Sequence, residues 1–197
     1  MKSRSALVVA LAAISLLIIA AIVVVTVIRT RHPSPQMQSA SFAPTIGTAQ
    51  IGSAAPEFSL PTTNGPFDLD KQTRPVLLEV FASWCPHCQR ETAVMNRLYR
   101  SFKSRVAFIA VPGSTTAMDG ASPESQFDII NFQIRFNVKY PIAAYDPNLT
   151  VARQYLKGGY PTIVIVGLDK KIVYANSGEV PYAELAAALD QSLGGKR

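Results

Sequence analysis

The sequence predicts an α/β fold of three layers, α/β/α, with a mixed central sheet and one transmembrane helix ahead of it. Three short apolar runs, 76–81, 106–111 and 162–166, are rich in β-branched residues and lack strict alternation, which predicts central strands covered on both faces. Segments with apolar residues at helical spacing lie between these runs. A long uncharged run near the N-terminus, residues 6–28, predicts the transmembrane helix.

The N-terminal run is longer than the apolar part of a secretory signal peptide. A helix over residues 6–28 would be ~35 Å long, enough to cross a hydrocarbon core of ~30 Å, whereas the apolar region of a signal peptide spans only ~7–15 residues. The residues that follow, 29–32, form a poor cleavage site. We therefore expect residues 1–28 to be an uncleaved membrane anchor. The basic residues on its two flanks are nearly balanced, so they do not decide its orientation.

Composition divides the rest of the chain into a linker and a domain. Residues 29–54 are rich in Ser, Pro, Ala, Thr and Gln and predict a flexible linker, which leaves residues 55–197 for one folded domain. The net charge of +6 comes mostly from residues 1–39, which hold four of the 19 basic residues and none of the 13 acidic ones. The other 15 basic residues nearly balance the acids, which argues against a nucleic-acid-binding domain.

Two hairpins and several helices complete the predicted domain. Residues 58–60 and 67–69 flank an Asn64-Gly65 turn and predict a small hairpin on one edge of the sheet. Residues 172–174 follow a turn and pair back on the run 162–166, which makes the sheet mixed. Four helices are predicted from apolar residues at helical spacing or from a preceding turn. The first follows Pro86 and has Val94, Leu98 and Phe102 on one stripe; the second, within 124–136, has Phe127, Ile130 and Ile134. The third is short and runs through Tyr155, and the fourth follows Pro181 and has Leu185, Leu189 and Leu193.

The chain has two cysteines, Cys85 and Cys88, which fall between a predicted buried strand and a predicted helix. The N-terminus of a helix carries unpaired N–H groups and a partial positive charge, which stabilise a thiolate. Cys85 can therefore be a nucleophile with a pKa lowered to within ~3.5–7.5. Cys88, one turn later, can close a disulfide and release a mixed-disulfide partner. This placement predicts redox-active cysteines.

Other roles for the two cysteines fit less well. A structural disulfide across two residues would close too small a loop to add much stability. A structural zinc site needs four ligands, and only His32 and His87 accompany the cysteines, so we predict no metal site and no cofactor. A metallochaperone that holds a soft ion through Cys85 and Cys88 remains an alternative of a different functional class.

Two segments resemble known signatures. Residues 76–88 (VLLEVFASWCPHC) resemble the active-site strand and motif of the thioredoxin superfamily. Residues 158–162 (GGYPT) resemble its second signature, a loop that ends in a cis-proline before a strand. The opening residues 55–60 and the stretch 140–155 resemble segments shared by TlpA/ResA-type and peroxiredoxin-type members. With the paired signatures, the chain is most similar to the TlpA/ResA-like branch, whose members are membrane-tethered thiol–disulfide oxidoreductases that face outside the cytoplasm. The resemblance implies a thioredoxin-like three-layer fold.

The resemblance to this branch includes a strand–helix insertion, and the residues before Cys85 argue against a peroxiredoxin. Members of this branch have a strand–helix insertion between the active site and the cis-proline, which matches residues 112–140 approximately. A peroxiredoxin would need a Pro and a Thr or Ser at fixed positions before its cysteine, but Leu78 and Ala82 occupy those positions here.

The resemblance also implies roles for individual residues. Glu79 lies six positions before Cys85, where the superfamily carries a buried acid that relays protons for the second cysteine. The alternative is a carboxylate at the rim of the sheet, paired with Arg or Lys. A cis bond before Pro161 lets Tyr160 present its backbone beside Cys85, where an extended substrate can pair in strand fashion. Trp84 is expected to contact the substrate beside these two residues.

The dipeptide Pro86-His87 bears on the direction of electron flow. A histidine between the cysteines can supply positive charge or hydrogen bonds to the thiolate, which makes the disulfide more oxidising. This dipeptide resembles that of Dsb-type disulfide oxidases, whereas the scaffold resembles reductases, and a solvent-facing His87 would have little effect. A Dsb-like oxidase therefore remains an alternative to a reductase.

The residues and the resemblance together predict an extracytoplasmic, membrane-tethered thiol–disulfide oxidoreductase that reacts through Cys85 and Cys88. We expect protein disulfides or dithiols as substrates and a membrane redox partner that supplies or removes electrons. The N-terminus is expected in the cytoplasm and the domain outside it, because client disulfides persist in oxidising compartments.

Overall fold

The computed structural model describes residue 47 and residues 49–194. Within this part of the chain, six strands form two sheets and four helices surround them. The strands are β1 (Ser59–Thr62), β2 (Gly65–Asp68), β3 (Val76–Phe81), β4 (Ala107–Pro112), β5 (Thr162–Val166) and β6 (Ile172–Ser177). The helices are α1 (Pro86–Phe102), α2 (Gln126–Arg135), α3 (Ala152–Tyr155) and α4 (Tyr182–Gly194).

The central sheet is mixed, with the strand order β4-β3-β5-β6. Strand β3 pairs in parallel with β4 and antiparallel with β5, and β5 and β6 form the second hairpin that the sequence predicts. Every residue of β3, β4 and β5 is buried, as expected for β-branched runs without alternation.

Both faces of the sheet are covered. Because successive side chains of β3 point to opposite sides, Leu77 and Phe81 pack with apolar residues of α1, α2 and α4 on one side, which we call the front face. Leu78 and Val80 pack with residues of α3 and the β1–β2 hairpin on the other side, the back face. The predicted three-layer α/β fold is therefore confirmed for the described residues.

The N-terminal hairpin forms as predicted, but β1 and β2 make a two-stranded sheet of their own. Thr62 of β1 bridges Ala143, and Ala110 of β4 bridges the adjacent Ile142. The hairpin therefore adjoins the β4 edge of the central sheet through one intervening stretch of chain.

The folded part of the chain begins before residue 55, where the composition placed the end of the linker. The Gly47 amide donates to the Leu156 carbonyl at 2.6 Å, and the Ala49 amide donates to the Gln154 carbonyl at 3.2 Å. Ala49 is buried, and a Cβ on Gly47 would lie only 2.2 Å from the Gln154 oxygen. Small residues that suggested a flexible linker instead allow close packing against the backbone.

Helix α2 forms inside the predicted range 124–136, but its buried face is not the stripe that predicted it. The residues of that stripe are exposed: Phe127, Ile130 and Ile134. Ile129 and Phe132 are buried instead, and the Phe132 ring lies 4.8 Å from that of Phe81. The helix carries two apolar stripes, and contact with the front face selects the one that the spacing did not favour.

The insertion implied between the active site and the cis-proline is only partly as expected. Helix α2 supplies its helix, but the implied strand within 112–140 is reduced to an isolated bridge between Thr116 and Pro123. In residue 47 and residues 49–194, no helix is long and apolar enough to cross a membrane. The predicted anchor, residues 1–28, lies outside the described residues.

Candidate active site

Helix α1 begins at the cysteine motif. The Cys85 amide donates to the Ala82 carbonyl at 3.0 Å, just beyond the end of β3, and Pro86 is the first residue of the helix, where an N–H is not needed. Cys85 is the N-cap residue and therefore lies beside the unpaired amides of the first turn. Both thiols are free; Cys85 is 5% exposed, whereas Cys88 is completely buried.

The two thiols differ in acidity. A hydrogen bond with the Cys88 thiol lowers the pKa of Cys85 to about 6, against the effect of burial, and the backbone amides of Cys88 and His87 assist. Burial raises the pKa of Cys88 well above its ordinary value, and its hydrogen bond to Cys85 and the charge of Glu79 raise it further. Cys85 is therefore the thiolate near neutral pH, and Cys88 stays protonated.

Glu79 is buried in the middle of β3 on the side of the cysteines. Its side chain is 1% exposed, and the Tyr140 hydroxyl donates to Oε2 at 3.0 Å. Burial raises the pKa of Glu79 to about 8; the Tyr140 hydrogen bond opposes this, and the charges of Glu91 and Cys85 add to it. The alternative of a rim carboxylate paired with a base is therefore wrong. Glu79 can exchange a proton in the neutral range.

Glu91 is a second buried carboxyl that the sequence reasoning missed. Its Oε2 accepts a hydrogen bond from the Val180 amide at 3.2 Å, and Oε1 has no hydrogen-bond partner among the described residues. Burial raises the pKa of Glu91 to about 7. The available signal was its position in α1, because Glu91 falls on the same helical stripe as the buried Met95 and Leu98.

A third buried carboxyl, Glu124, contacts the loop before the cysteines. The Ser83 hydroxyl donates to Glu124 Oε2 at 2.5 Å, and burial raises the pKa of Glu124 to about 7. Glu124 Oε1 likewise lacks a hydrogen-bond partner in the described part of the chain. No sequence pattern pointed to Glu124, because it lies in an irregular segment far along the chain from Ser83.

The predicted substrate-contacting residues surround Cys85. The Cys85 thiol lies 3.7 Å from the Tyr160 carbonyl oxygen, and the Tyr160–Pro161 peptide bond is cis. Trp84 packs edge-on against Tyr160 with ring centroids 6.1 Å apart and stays partly exposed. The Trp84 indole N–H donates to Ser114 Oγ at 2.9 Å. These residues form one wall beside the nucleophile.

A glycine lets this wall close. The Tyr160 hydroxyl donates to the Gly113 carbonyl. A Cβ at position 113 would lie 2.5 Å from Val80 Cγ1 and 3.0 Å from the Tyr160 ring, so only glycine fits there without a shift of its neighbours.

A family model covers most of the described chain. The model described as Redoxin matches residues 50–189. This chain belongs to the Redoxin family.

Relatives and solved structures are consistent with the site. Thiol-disulfide oxidoreductase ResA of Bacillus cereus is 28% identical over 145 residues, which is 72% of this chain and 78% of the relative. Thioredoxin-like protein YneN of Bacillus subtilis is 26% identical over 143 residues, 72% of this chain and 79% of the relative. A structure from Chlorobium tepidum, described as a thiol:disulfide interchange protein DsbE, is 25% identical, covers 75% of this chain and 100% of its own, and has a TM-score of 0.64.

This Redoxin-family chain is a thiol–disulfide oxidoreductase of the ResA/Dsb-like type, and it is a TlpA/ResA-like member of the thioredoxin superfamily. The paired cysteines at the start of α1, with the buried Glu79 in the adjacent strand, are consistent with such an activity.

His87 of this oxidoreductase points along the surface rather than into the site. Its Nδ1 lies 2.6 Å from Glu179 Oε1 and 2.8 Å from Arg90 Nη2, and the side chain is more than half exposed. Its charge is one of the smaller factors that lower the pKa of Cys85. His87 is thus engaged with surface partners and is not the main cause of the lowered pKa of Cys85.

A metal site was the other alternative for the cysteines of this Redoxin-family member. Among the described residues, no group of three or more His, Cys, Asp or Glu side chains is placed to hold a metal ion.

Proposed function

We propose that this chain is a membrane-tethered, extracytoplasmic thiol–disulfide oxidoreductase that reduces protein disulfides through Cys85-Pro86-His87-Cys88. The observation that carries the proposal is the contrast between the two thiols at the start of α1. One has its pKa lowered to about 6, and the other is completely buried with its pKa raised. That contrast supports attack by the first sulfur and resolution by the second.

The proposed reaction moves two electrons in two exchange steps. The Cys85 thiolate attacks one sulfur of the substrate disulfide, a mixed disulfide forms, and the other substrate sulfur leaves as a thiolate that takes up a proton. Cys88 then loses its proton and attacks the Cys85 sulfur. The second substrate sulfur leaves, and the Cys85–Cys88 disulfide remains.

Glu79 is proposed to take the proton of Cys88 in the second step. The two groups interact, since the charge of Glu79 raises the pKa of Cys88. A carboxyl with a pKa of about 8 is matched to proton exchange near neutral pH, whereas an ordinary carboxyl would be too weak a base. Tyr140 holds the carboxyl in place through its hydroxyl.

The substrate is proposed to be an extended protein segment. The Tyr160 carbonyl beside Cys85 offers a backbone acceptor for strand-like pairing, and Trp84 supplies a partly exposed aromatic surface next to it. No nucleic acid and no cofactor take part in this proposal. A membrane redox partner would return electrons to the Cys85–Cys88 disulfide.

The anchor and the compartment belong to the same proposal. Residues 1–28 would hold the protein in the cell membrane, because the uncharged run 6–28 within them is long enough to span a bilayer. The N-terminus would lie in the cytoplasm and the domain outside it, where client disulfides persist. A reporter fused after Arg197 should then be active only outside the cytoplasm. Activity confined to the cytoplasm would contradict this orientation.

The redox state of the two cysteines in living cells tests the direction of electron flow. Cells are quenched with acid and free thiols are labelled with a bulky alkylating reagent, with the Cys85→Ala/Cys88→Ala chain as the reference for the unlabelled band. A reductase supplied with electrons should be mostly in the dithiol form. A mostly oxidised pair would instead identify a Dsb-like oxidase, the alternative that His87 favours.

A further inference from the structure

A cluster of three charged or titratable side chains lies at the exposed start of α1. The Glu179 carboxylate oxygen Oε1 is 2.6 Å from His87 Nδ1, 2.5 Å from Arg90 Nη2 and 3.0 Å from Arg90 Nε. His87 and Arg90 are themselves one helical turn apart, and His87 Nδ1 lies 2.8 Å from Arg90 Nη2. A His87 ring with its proton on Nδ1 donates that proton to Glu179 and does not accept a hydrogen bond from Arg90, because one ring nitrogen cannot do both. Glu179 Oε1 thus contacts both basic side chains near the start of α1, His87 and Arg90.

The backbone around Glu179 is fixed on both sides by groups of the active site. The Gly178 amide donates to the Pro161 carbonyl at 2.7 Å. The Val180 amide donates to the buried Glu91 carboxyl at 3.2 Å. The carboxylate of Glu179 is therefore presented by a segment that is tied to the cis-proline loop and to the interior of α1, not by a free surface loop.

Both partners of Glu179 act electrostatically on the nucleophile. The charge of His87 contributes to the lowered pKa of Cys85. A charge on Cys85 in turn raises the pKa of Arg90, after the larger effect of the hydrogen bond to Glu179. Positive charge near the thiolate stabilises the reduced site and makes the disulfide more oxidising.

We propose that Glu179 is a positioning residue that draws the His87 imidazole away from Cys85 and so reduces the oxidising power of the Cys85–Cys88 pair. The inference rests on the proposed disulfide exchange at Cys85 and explains how a site with Pro-His between its cysteines can serve as a reductase. Glu179 does not touch the reacting sulfurs. It acts by holding His87 and by compensating its charge.

The test is the equilibrium with glutathione at neutral pH. In this reaction the dithiol of the protein and glutathione disulfide give the protein disulfide and two molecules of glutathione. Trp84, the chain's one tryptophan, adjoins Cys85 and serves as the fluorescence reporter, checked by thiol alkylation. Glu179→Gln should shift the equilibrium about 5-fold toward the dithiol, which corresponds to about 20 mV. The pKa of Cys85, followed by thiolate absorbance, should fall at the same time.

A double-variant cycle separates positioning from simple loss of a charge. If Glu179 acts through His87, the shift caused by Glu179→Gln should largely disappear when His87→Ala is also present. The shift should also shrink in high salt, because exposed charges are screened. A shift of equal size with and without His87 would show a direct charge effect and would overturn the inference.

Glu184→Gln is the matched control. Glu184 lies in the first turn of α4, accepts a hydrogen bond from the Tyr174 hydroxyl, and its replacement changes the net charge by the same amount. We expect it to leave the equilibrium unchanged. Equal behaviour of Glu179→Gln and Glu184→Gln would overturn the inference while leaving the proposed function intact. A wild-type chain that fails to equilibrate with glutathione would instead overturn the proposed function.

Discussion

The two faces of the central sheet differ in what they bury. The back face packs apolar residues of β3, such as Leu78 and Val80, against α3 and the small hairpin. The front face also has an apolar cluster, but it adds two thiols and the buried carboxyls of Glu79 and Glu91. Burying a carboxyl disfavours its charged form and costs free energy, as the raised pKa values of both acids record.

This difference indicates that the two faces of the same sheet have different roles, although only one layer of backbone separates them. Leu78 and Glu79 are neighbours in β3, yet one supports the fold and the other is proposed to serve the chemistry. Buried groups that weaken a fold without structural need are expected at functional sites. Substitutions on the two faces should therefore separate stability from activity.

The largest expected effect comes from the cysteines on the front face. Cys85→Ala should abolish disulfide exchange and leave no trapped partner. Cys88→Ala keeps the nucleophile but removes the resolving thiol, so mixed disulfides with clients should accumulate on non-reducing gels. Trapping by Cys85→Ala but not by Cys88→Ala would reverse the two roles.

A cavity on the back face should affect stability alone. Leu78 is completely buried, and Leu78→Ala should lower the free energy of unfolding by about 3 kcal/mol, measured by urea denaturation. The pKa of Cys85, measured by thiolate absorbance, should stay near the wild-type value. A change of a full pKa unit would show that the faces are not independent.

Substitution of Glu79, the neighbour of Leu78 on the front face, should affect the rate of disulfide exchange. Glu79→Gln keeps the shape of the side chain but removes the proton acceptor, so the resolution step should slow about 100-fold. The first attack by Cys85 should change little. Stopped-flow kinetics of mixed-disulfide formation and decay distinguish the two steps, and an equal loss in both would contradict the proposed role.

The smallest expected effect is a pH dependence of stability. Glu79 and Glu91 have pKa values of about 8 and 7 in the folded chain, against an ordinary value of 4.5. The folded state therefore holds protons more tightly, and the stability from this difference is present below about pH 4.5 and is lost as the pH rises through about 7–8.

Glu79→Gln measures how much of this pH-dependent loss of stability is due to Glu79. The free energy of unfolding of the variant should decline less between about pH 5 and pH 8, by at least ~1 kcal/mol, which is about one pKa unit. Parallel curves for the variant and the wild type would argue against a raised pKa of Glu79.

Much of the fold was accessible from the sequence because its signals are local. Each signal is contained in a segment of a few consecutive residues, as in the apolar runs of β3, β4 and β5 and in the turn between β5 and β6. The face of α2 was not accessible, because Phe127 and Ile129 start equally good apolar stripes and only contact with Phe81 of β3 selects between them.

The candidate site divides in the same way. The cysteines could be placed because their spacing along the chain carries the chemistry, and Glu79 because its position matches the buried acid that the resemblance to the thioredoxin superfamily implies. Glu124 and Glu179 could not, because they reach Ser83 and His87 from segments 41 and 92 residues away. Such contacts depend on tertiary structure, and no periodic pattern reports them.

The entry of the chain into the domain has a mechanical consequence. Gly47 and Ala49 are hydrogen-bonded to the backbone around α3, and Ala49 belongs to the back-face cluster. Among the described residues, these are the hydrogen bonds that a pull applied from the N-terminal side would load first. Cys85 belongs to the cluster on the other side of the sheet. The hydrogen-bonded strands of the central sheet therefore lie between the point where tension on the chain would act and the reactive thiol.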